Sequence, residues 1–210
     1  ALAAAGIARL ALCDVRADAL DATKDLVHRA AVGCGQHNNK KVVTTTHVVD
    51  VSDAKAVARF ARAVQAAHGD TVHLLFNNAG VAATGSFLTM PAVQFDRVID
   101  INFVGLVRMT RAFLPMMVRA ERACVVNVSS IMGIWACMGP LPRGQEHTPY
   151  CASKFAVRGF SESLRHELEG TGVGVTVIHP GGVATAISLT PGTSAISSAD
   201  KRKKKNKQEG

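Results

Sequence analysis

Tyr150 and Lys154 stand four residues apart in the stretch Pro149-Tyr150-Cys151-Ala152-Ser153-Lys154. On a helix that spacing puts both side chains on one face. A free phenol titrates at about pH 10 and is a poor base at neutral pH. A nearby ammonium favours the phenolate and lowers that value, which equips the phenol to exchange a proton with a substrate hydroxyl or carbonyl. Alone the pair is a weak signal, because a surface helix with a lysine stretched along it gives the same spacing. Its weight depends on what surrounds it.

A helix is expected around the pair. Pro149 suits a first helical turn, and Phe155, Val157, Phe160, Leu164 and Leu168 follow at helical spacing. The rest of the chain alternates between strands and helices. A short buried strand over 8–13 closes at Asp14, and Asp18 is expected to cap a helix over 19–31. A β-branched strand over 42–49 ends at Asp50-Val51, and Ser52 is expected to cap a helix over 53–67. The apolar strand over 72–76 runs into Asn77-Asn78-Ala79-Gly80. Helical stretches begin after Pro91 and again after Asn102, the second reaching from Phe103 to Val118. A strand over 125–128 leads into Ser129-Ser130, and one over 173–178 ends at His179-Pro180-Gly181-Gly182. Such alternation predicts βαβ units, hence an α/β, Rossmann-like, doubly wound parallel sheet covered on both faces.

In an open parallel sheet, ligands bind beyond the carboxyl ends of the strands. Asp14, Asp50, the turn from Asn77 to Gly80, Ser130 and the loop from Pro180 to Thr185 all fall there. A carboxylate ending a strand can accept ribose hydroxyls, and small residues after a strand let the backbone approach a ligand closely.

Charge and cysteine usage bound the remaining possibilities. The chain has 210 residues, 48% of them hydrophobic, which suffices for one buried core. Of the net charge of +8, the last ten residues carry +5, through Lys201, Arg202, Lys203, Lys204, Lys205 and Lys207 against Glu209. The body is nearly balanced. The five cysteines are scattered without a Cys-x-x-Cys pair, which suggests neither a metal site nor a disulfide frame and fits a reducing, cytoplasmic setting. No apolar run reads as a membrane span, and the first residues do not resemble a signal peptide. Residues 190–210 read as a disordered basic tail after a domain over 1–189. No aromatic residue interleaves with the lysines, which argues against nucleic acid as a partner.

Taken together the motifs resemble the short-chain dehydrogenase/reductase family. Asn77-Asn78-Ala79-Gly80 is similar to its Asn-Asn-Ala-Gly signature, and Asn102 with Gly105 to its active-site asparagine segment. Val126-Asn127-Val128-Ser129-Ser130 resembles the strand bearing the catalytic serine, with Ser130 in that role, and Tyr150-x-x-x-Lys154 resembles the catalytic pair. Pro180-Gly181-Gly182-Val183-x-Thr185 is similar to the loop at the nicotinamide end, and Asp50-Val51 to the adenine-side pair.

The resemblance implies an NAD(P)-dependent oxidoreductase acting on CH–OH groups, with a secondary alcohol or ketone as its small-molecule substrate. Tyr150 would be the general acid and base. Lys154 would lower its pKa and bind the nicotinamide ribose. Ser130 would hold the substrate oxygen and Asn102 a relay water. The cofactor contacts implied are Asp14, Asp50, Val51, Asn77, Ala79, Gly80, Tyr150, Lys154, Pro180, Gly181, Val183 and Thr185. Asp14 favours NAD over NADP, with Arg16 as the counterweight. The family also implies a homodimer or homotetramer and no metal.

The family pattern is not matched throughout. The family's Gly-x-x-x-Gly-x-Gly turn and first strand have no counterpart in these residues, which begin, by alignment, inside the following helix. Ser130 and Tyr150 lie farther apart than the family usually has, with the extra length expected as a loop within 138–147, and the match ends near Leu189. A non-catalytic member acting through dimerisation is therefore the alternative.

Overall fold

Among the described residues, β-branched and apolar runs build five short strands. The computed structural model describes residues 7–32, 42–136, 147–183 and Ile187. In chain order the elements are β1 (Arg9–Asp14), α1 (Ala17–Val32), β2 (Val43–Val48), α2 (Ala54–His68), β3 (Leu74–Asn77), α3 (Ala92–Ile99), a π turn (Asp100–Gly105), α4 (Leu106–Val118), β4 (Ala123–Val128), a 3-10 turn (Ile131–Gly133), α5 (Thr148–Glu167) and β5 (Val173–Ile178).

Every strand pairing is parallel. β1 pairs with β2, Leu10 opposite Thr44, and β4 lies between β3 and β5, with Val125 opposite Leu75 and Val175. Among the described residues β4 is bonded along both edges, and β1, β2, β3 and β5 along one edge only. The predicted doubly wound α/β architecture is thus present, its described strands paired as two parallel ladders, β1–β2 and β3–β4–β5.

The core forms where α2 and α4 cover the strands. Val57, Phe60 and Val64 of α2 meet Met109, Phe113 and Met117 of α4 over Leu75, Val125 and Val175. The Phe60 and Phe113 rings meet edge to face at 5.3 Å between centroids. Val125 and Met117 are fully buried.

Local details depart from expectation at three places. Asp18 lies within the first turn of α1 and not ahead of it. Asp53, not Ser52, caps α2, its carboxylate accepting the Lys55 N–H at 2.8 Å. Ser52 is held back because its own N–H and hydroxyl both go to the Asp50 carboxylate, at 2.8 and 2.7 Å. The third departure is larger: Asn102 does not begin a new helix. It lies in the π turn that joins α3 to α4 into one helix over Ala92–Val118.

Joined in this way, the 27-residue helix is long and apolar enough, at mean hydropathy 1.3, to cross a bilayer by length and composition alone. The sequence reading found no such span because it broke the run at Asn102. The helix lays Met109, Phe113, Met116 and Met117 into the core, which accounts for its apolar face.

The predicted tail over 190–210, the inserted loop up to 146, and the 33–41 loop lie outside the described residues.

Candidate active site

α5 carries the two groups that open the chemical argument. Ser153, Val157, Ser161 and Leu164 fix its buried face, and this turns Lys154 inward to 3% exposure. The Lys154 Nζ donates to the Val128 carbonyl at 2.8 Å, where β4 ends. It stands 5.5 Å from the centroid of the Tyr150 ring. Burial without a facing anion lowers the ammonium's pKa to about 8.

Ser130 follows β4 in extended backbone. Its Oγ accepts the Met132 N–H at 3.2 Å, capping the 3-10 turn. The same side chain hydrogen-bonds Tyr150. For the phenol, burial is the largest influence and pushes its pKa up; the Ser130 bond pulls it down, and Cys151 adds to the rise. The expected lowering by Lys154 is not what the geometry gives. The ammonium lies over the ring and is tied to Val128, so burial outweighs it.

Asn102 is 1% exposed. A π turn inserts a residue into a helix and is frequent at functional sites. Here it aims the amide at the turn after β3. Oδ1 accepts the Val81 N–H at 2.8 Å, while Nδ2 donates to the Val81 carbonyl at 2.9 Å and to Ser153 Oγ at 3.0 Å. Ser153 in turn donates to the Tyr150 carbonyl at 2.7 Å. The amide therefore clamps the β3 turn to the first turn of α5.

Asn77 does not face the site as expected. Strand alternation buries Leu75 and Asn77 and exposes Phe76 and Asn78. The Asn77 Nδ2 donates to Thr110 Oγ1 at 2.9 Å and Asn127 Oδ1 at 2.8 Å, and Asn127 donates to Ser161 Oγ at 2.9 Å. This buried network ties β3 and β4 to α4 and α5 behind the site.

The remaining candidates line the same sheet edge. Gly80 keeps a space open: a Cβ there would stand 3.3 Å from Asn102 Oδ1 and 3.7 Å from Lys154 Nζ. Ala79 beside it is exposed. The Pro180 carbonyl accepts the Ile131 N–H at 2.9 Å, and His179 Nδ1 lies 3.0 Å from the Ser130 carbonyl, so the loop after β5 is pinned to the serine turn. Gly181 and Gly182 have open space where a side chain would stand, and Val183 is exposed.

Asp14 is exposed at the end of β1 and accepts the Arg16 N–H at 2.9 Å. Asp50 holds the Ser52 turn. The Val51 side chain is buried against Gly105, where a Cβ would come within 2.7 Å of Val51 Cγ2. Thr185 lies outside the described residues.

The structure thus gathers Asn102, Ser130, Tyr150, Lys154, Gly80 and Pro180, while Asp14 and Asp50 stand at the end of the β1–β2 ladder. An exposed carboxylate at a strand end, a cradle that a Cβ would fill, and two open loop glycines fit a dinucleotide. Among the described residues no group of His, Cys, Asp and Glu is arranged to hold a metal.

Several supporting residues escaped sequence reasoning. Ser129 donates to the Lys154 carbonyl at 2.8 Å, and Gly133 lets the serine turn lie against that carbonyl, where a Cβ would stand 2.7 Å away. His147 hydrogen-bonds the Ala83 backbone, and its ring meets Tyr150 at 6.4 Å between centroids.

A profile of the short chain dehydrogenase family matches residues 2–192. SadH of Mycobacterium tuberculosis, described only by class as an oxidoreductase, is 38% identical over 183 residues, which is 86% of this chain and 60% of SadH. A short-chain dehydrogenase/reductase from Burkholderia phymatum, solved with NAD, superposes with a TM-score of 0.73 at 33% identity, covering 90% of this chain and 62% of that one. A metagenomic short-chain oxidoreductase solved with NADP gives a TM-score of 0.70 at 32% identity, over 87% of this chain and 74% of that one. The chain therefore spans about 60% of the length of SadH.

Proposed function

The chain belongs to the short-chain dehydrogenase/reductase family, and on that premise we propose an NAD(P)-dependent oxidoreductase that moves a hydride between a nicotinamide cofactor and a secondary alcohol or ketone. The observation that carries this reading is the grouping of the Ser130 hydroxyl, the Tyr150 phenol and the Lys154 ammonium at one end of β4. When bound, the nicotinamide supplies the hydride donor or acceptor.

The protein's share is proton transfer and orientation. In reduction the neutral Tyr150 phenol gives its proton to the substrate oxygen, and in oxidation the phenolate takes it back. Ser130 holds the same oxygen. Lys154, fixed by Val128, steadies the negative charge on Tyr150 once the proton has left. Asn102 and Ser153 set the register of Tyr150 against the Gly80 cradle. Asp14 favours NAD, because a carboxylate accepts ribose hydroxyls and repels a 2′-phosphate. We place the enzyme in the cytoplasm as a homodimer or homotetramer, with a domain over 1–189 and a basic tail over 190–210.

The test is nicotinamide absorbance change with a panel of secondary alcohols and ketones, run beside Tyr150→Phe. Turnover that falls by roughly 10²- to 10⁴-fold in the variant, with melting unchanged, supports the reading. Turnover indifferent to the phenol would overturn it, and silence in both forms despite cofactor binding would favour a non-catalytic member.

A further inference from the structure

We propose that His147 is a positioning residue for the catalytic phenol: it latches the first turn of α5 to the segment after β3 and so fixes where Tyr150 stands. This rests on the catalytic reading above and adds to it a group that the proton transfer does not use.

α5 begins at His147, which is its N-cap residue. The His147 carbonyl accepts the Cys151 N–H at 2.8 Å, but its side chain does not cap the helix. The imidazole hydrogen-bonds the Ala83 backbone instead, and that bond raises its pKa. A bond that favours the protonated ring is one the ring donates, so the Ala83 carbonyl is the acceptor. Burial outweighs the bond and leaves the pKa below the ordinary 6.5, so the ring is neutral at pH 7 and above.

The far end of this latch is a fixed point. Ala83 is 3% exposed and lies two residues after Val81, whose N–H and carbonyl are both held by Asn102. Asn102 reaches α5 by a second route, through Ser153 to the Tyr150 carbonyl. Two links thus run from α5 to one short segment, and Tyr150 stands between them. Tyr150 is the third residue of the helix, just after Pro149. The first turn of a helix has N–H groups without partners inside it and frays unless outside contacts hold it.

His147 also touches the phenol itself. Its ring meets the Tyr150 ring edge to face, 6.4 Å between centroids. Burial is the largest influence on the Tyr150 pKa, and a neutral ring beside the phenol adds to that burial. A catalytic group displaced by about 1 Å can lose roughly 10²-fold in rate, so the latch matters to turnover.

Tyr150 is the chain's sole tyrosine, so tyrosine labelled with ¹³C at the phenol carbon gives one resonance that reports this phenol without substrate. His147→Ala should shift or broaden that resonance at neutral pH and move the phenol's titration down toward its ordinary value of about 10. Gln and Asn carry an amide N–H near one or the other ring-nitrogen position, and at least one of them should restore the wild-type signal. His147→Phe keeps a ring and loses the donor, so it should behave like His147→Ala. With a substrate that Tyr150 turns over, His147→Ala should lower kcat about 10²-fold with a much smaller change in KM, and the restoring amide should recover most of the loss.

A resonance unchanged in both His147→Ala and His147→Phe overturns the proposal. So does restoration by Phe as full as by either amide, since the ring alone would then suffice. Should His147→Ala not fold, Phe against the two amides makes the same comparison. Turnover that needs Tyr150 but ignores His147 overturns the latch and leaves the catalytic reading standing. Turnover that survives Tyr150→Phe, beside a resonance that responds to His147 as described, sinks the catalytic reading and leaves the latch.

Discussion

Lys154 shows how a single residue couples the site to stability. Its ammonium is buried on a carbonyl with no carboxylate facing it, and its pKa falls from 10.5 to about 8. Below pH 8 both folded and unfolded chains carry the charge, and the full burial cost is present. Between the two values the folded chain releases its proton while the unfolded chain keeps it, so stability rises with pH. Above the unfolded value the cost is gone. Relative to Lys154→Met, which titrates nothing, the wild type should therefore gain about 3 kcal/mol between neutral and strongly alkaline pH. Urea unfolding of both forms across that range measures it; a constant difference would rule out the burial cost. The Tyr-x-x-x-Lys spacing placed the pair together, and that much was legible in the sequence. The direction of the Tyr150 shift was not, because burial is a property of the packed site.

At the scale of elements, close approaches decide where the catalytic turns sit. A methyl at Gly133 would press on the Ser129 side chain and on the Lys154 carbonyl, 2.7 Å away, and one at Gly105 would lie 2.7 Å from Val51 Cγ2. Both neighbours are held in place, Ser129 by its bond to that carbonyl and Val51 by burial. Gly133→Ala and Gly105→Ala should each cost about 1–3 kcal/mol. Gly133→Ala should also lower kcat more than it raises KM, since it displaces α5 under Tyr150. Denaturation midpoints beside steady-state kinetics check both.

The contact between β2 and α2 makes a separate prediction. Thr45 Oγ1 bridges His68 Nε2 at 2.8 Å and His47 Nε2 at 3.0 Å, and the Arg9 guanidinium bonds the His68 carbonyl. Burial lowers the pKa of both histidines, and Arg9 and His47 lower that of His68 further. The unfolded chain thus protonates first as pH drops below 6.5, and stability is lost from there downward. Melting temperature should fall across that window, and less steeply in His68→Gln. An equal slope in the variant would remove this pair as the cause.

Element types were legible because β-branched strands and amphipathic helices carry their periods openly. The π turn was not. Its backbone registers Asn102 against Val81 and Ser153, contacts that are far away in sequence, and local periodicity reads the same residues as a helix start.

For the whole molecule, the exposed face of α5 shows what the fold leaves unpaired. Ala152, Phe155 and Gly159 recur at helical spacing on its solvent side, with Phe155 40% exposed, while Lys154 and Val157 face inward. Beside it, the Phe103 and Phe160 rings meet edge to face at 6.2 Å, joining the π turn to α5. Small residues flanking one aromatic let a second helix approach closely, and a two-fold axis would set α5 against its own copy. α4 also carries apolar residues on more than one face. Packing takes most of them inward and leaves Val118 47% exposed. Phe155→Glu should therefore turn the proposed dimer into a monomer in sedimentation at micromolar concentration, because a two-fold contact would place the two new carboxylates close together. The monomer should keep its melting temperature within a few degrees, as Phe155 contributes little to its own core. A wild type that sediments as a folded monomer would show that α5 has no partner, and a Phe155→Glu dimer would move the interface elsewhere on the molecule.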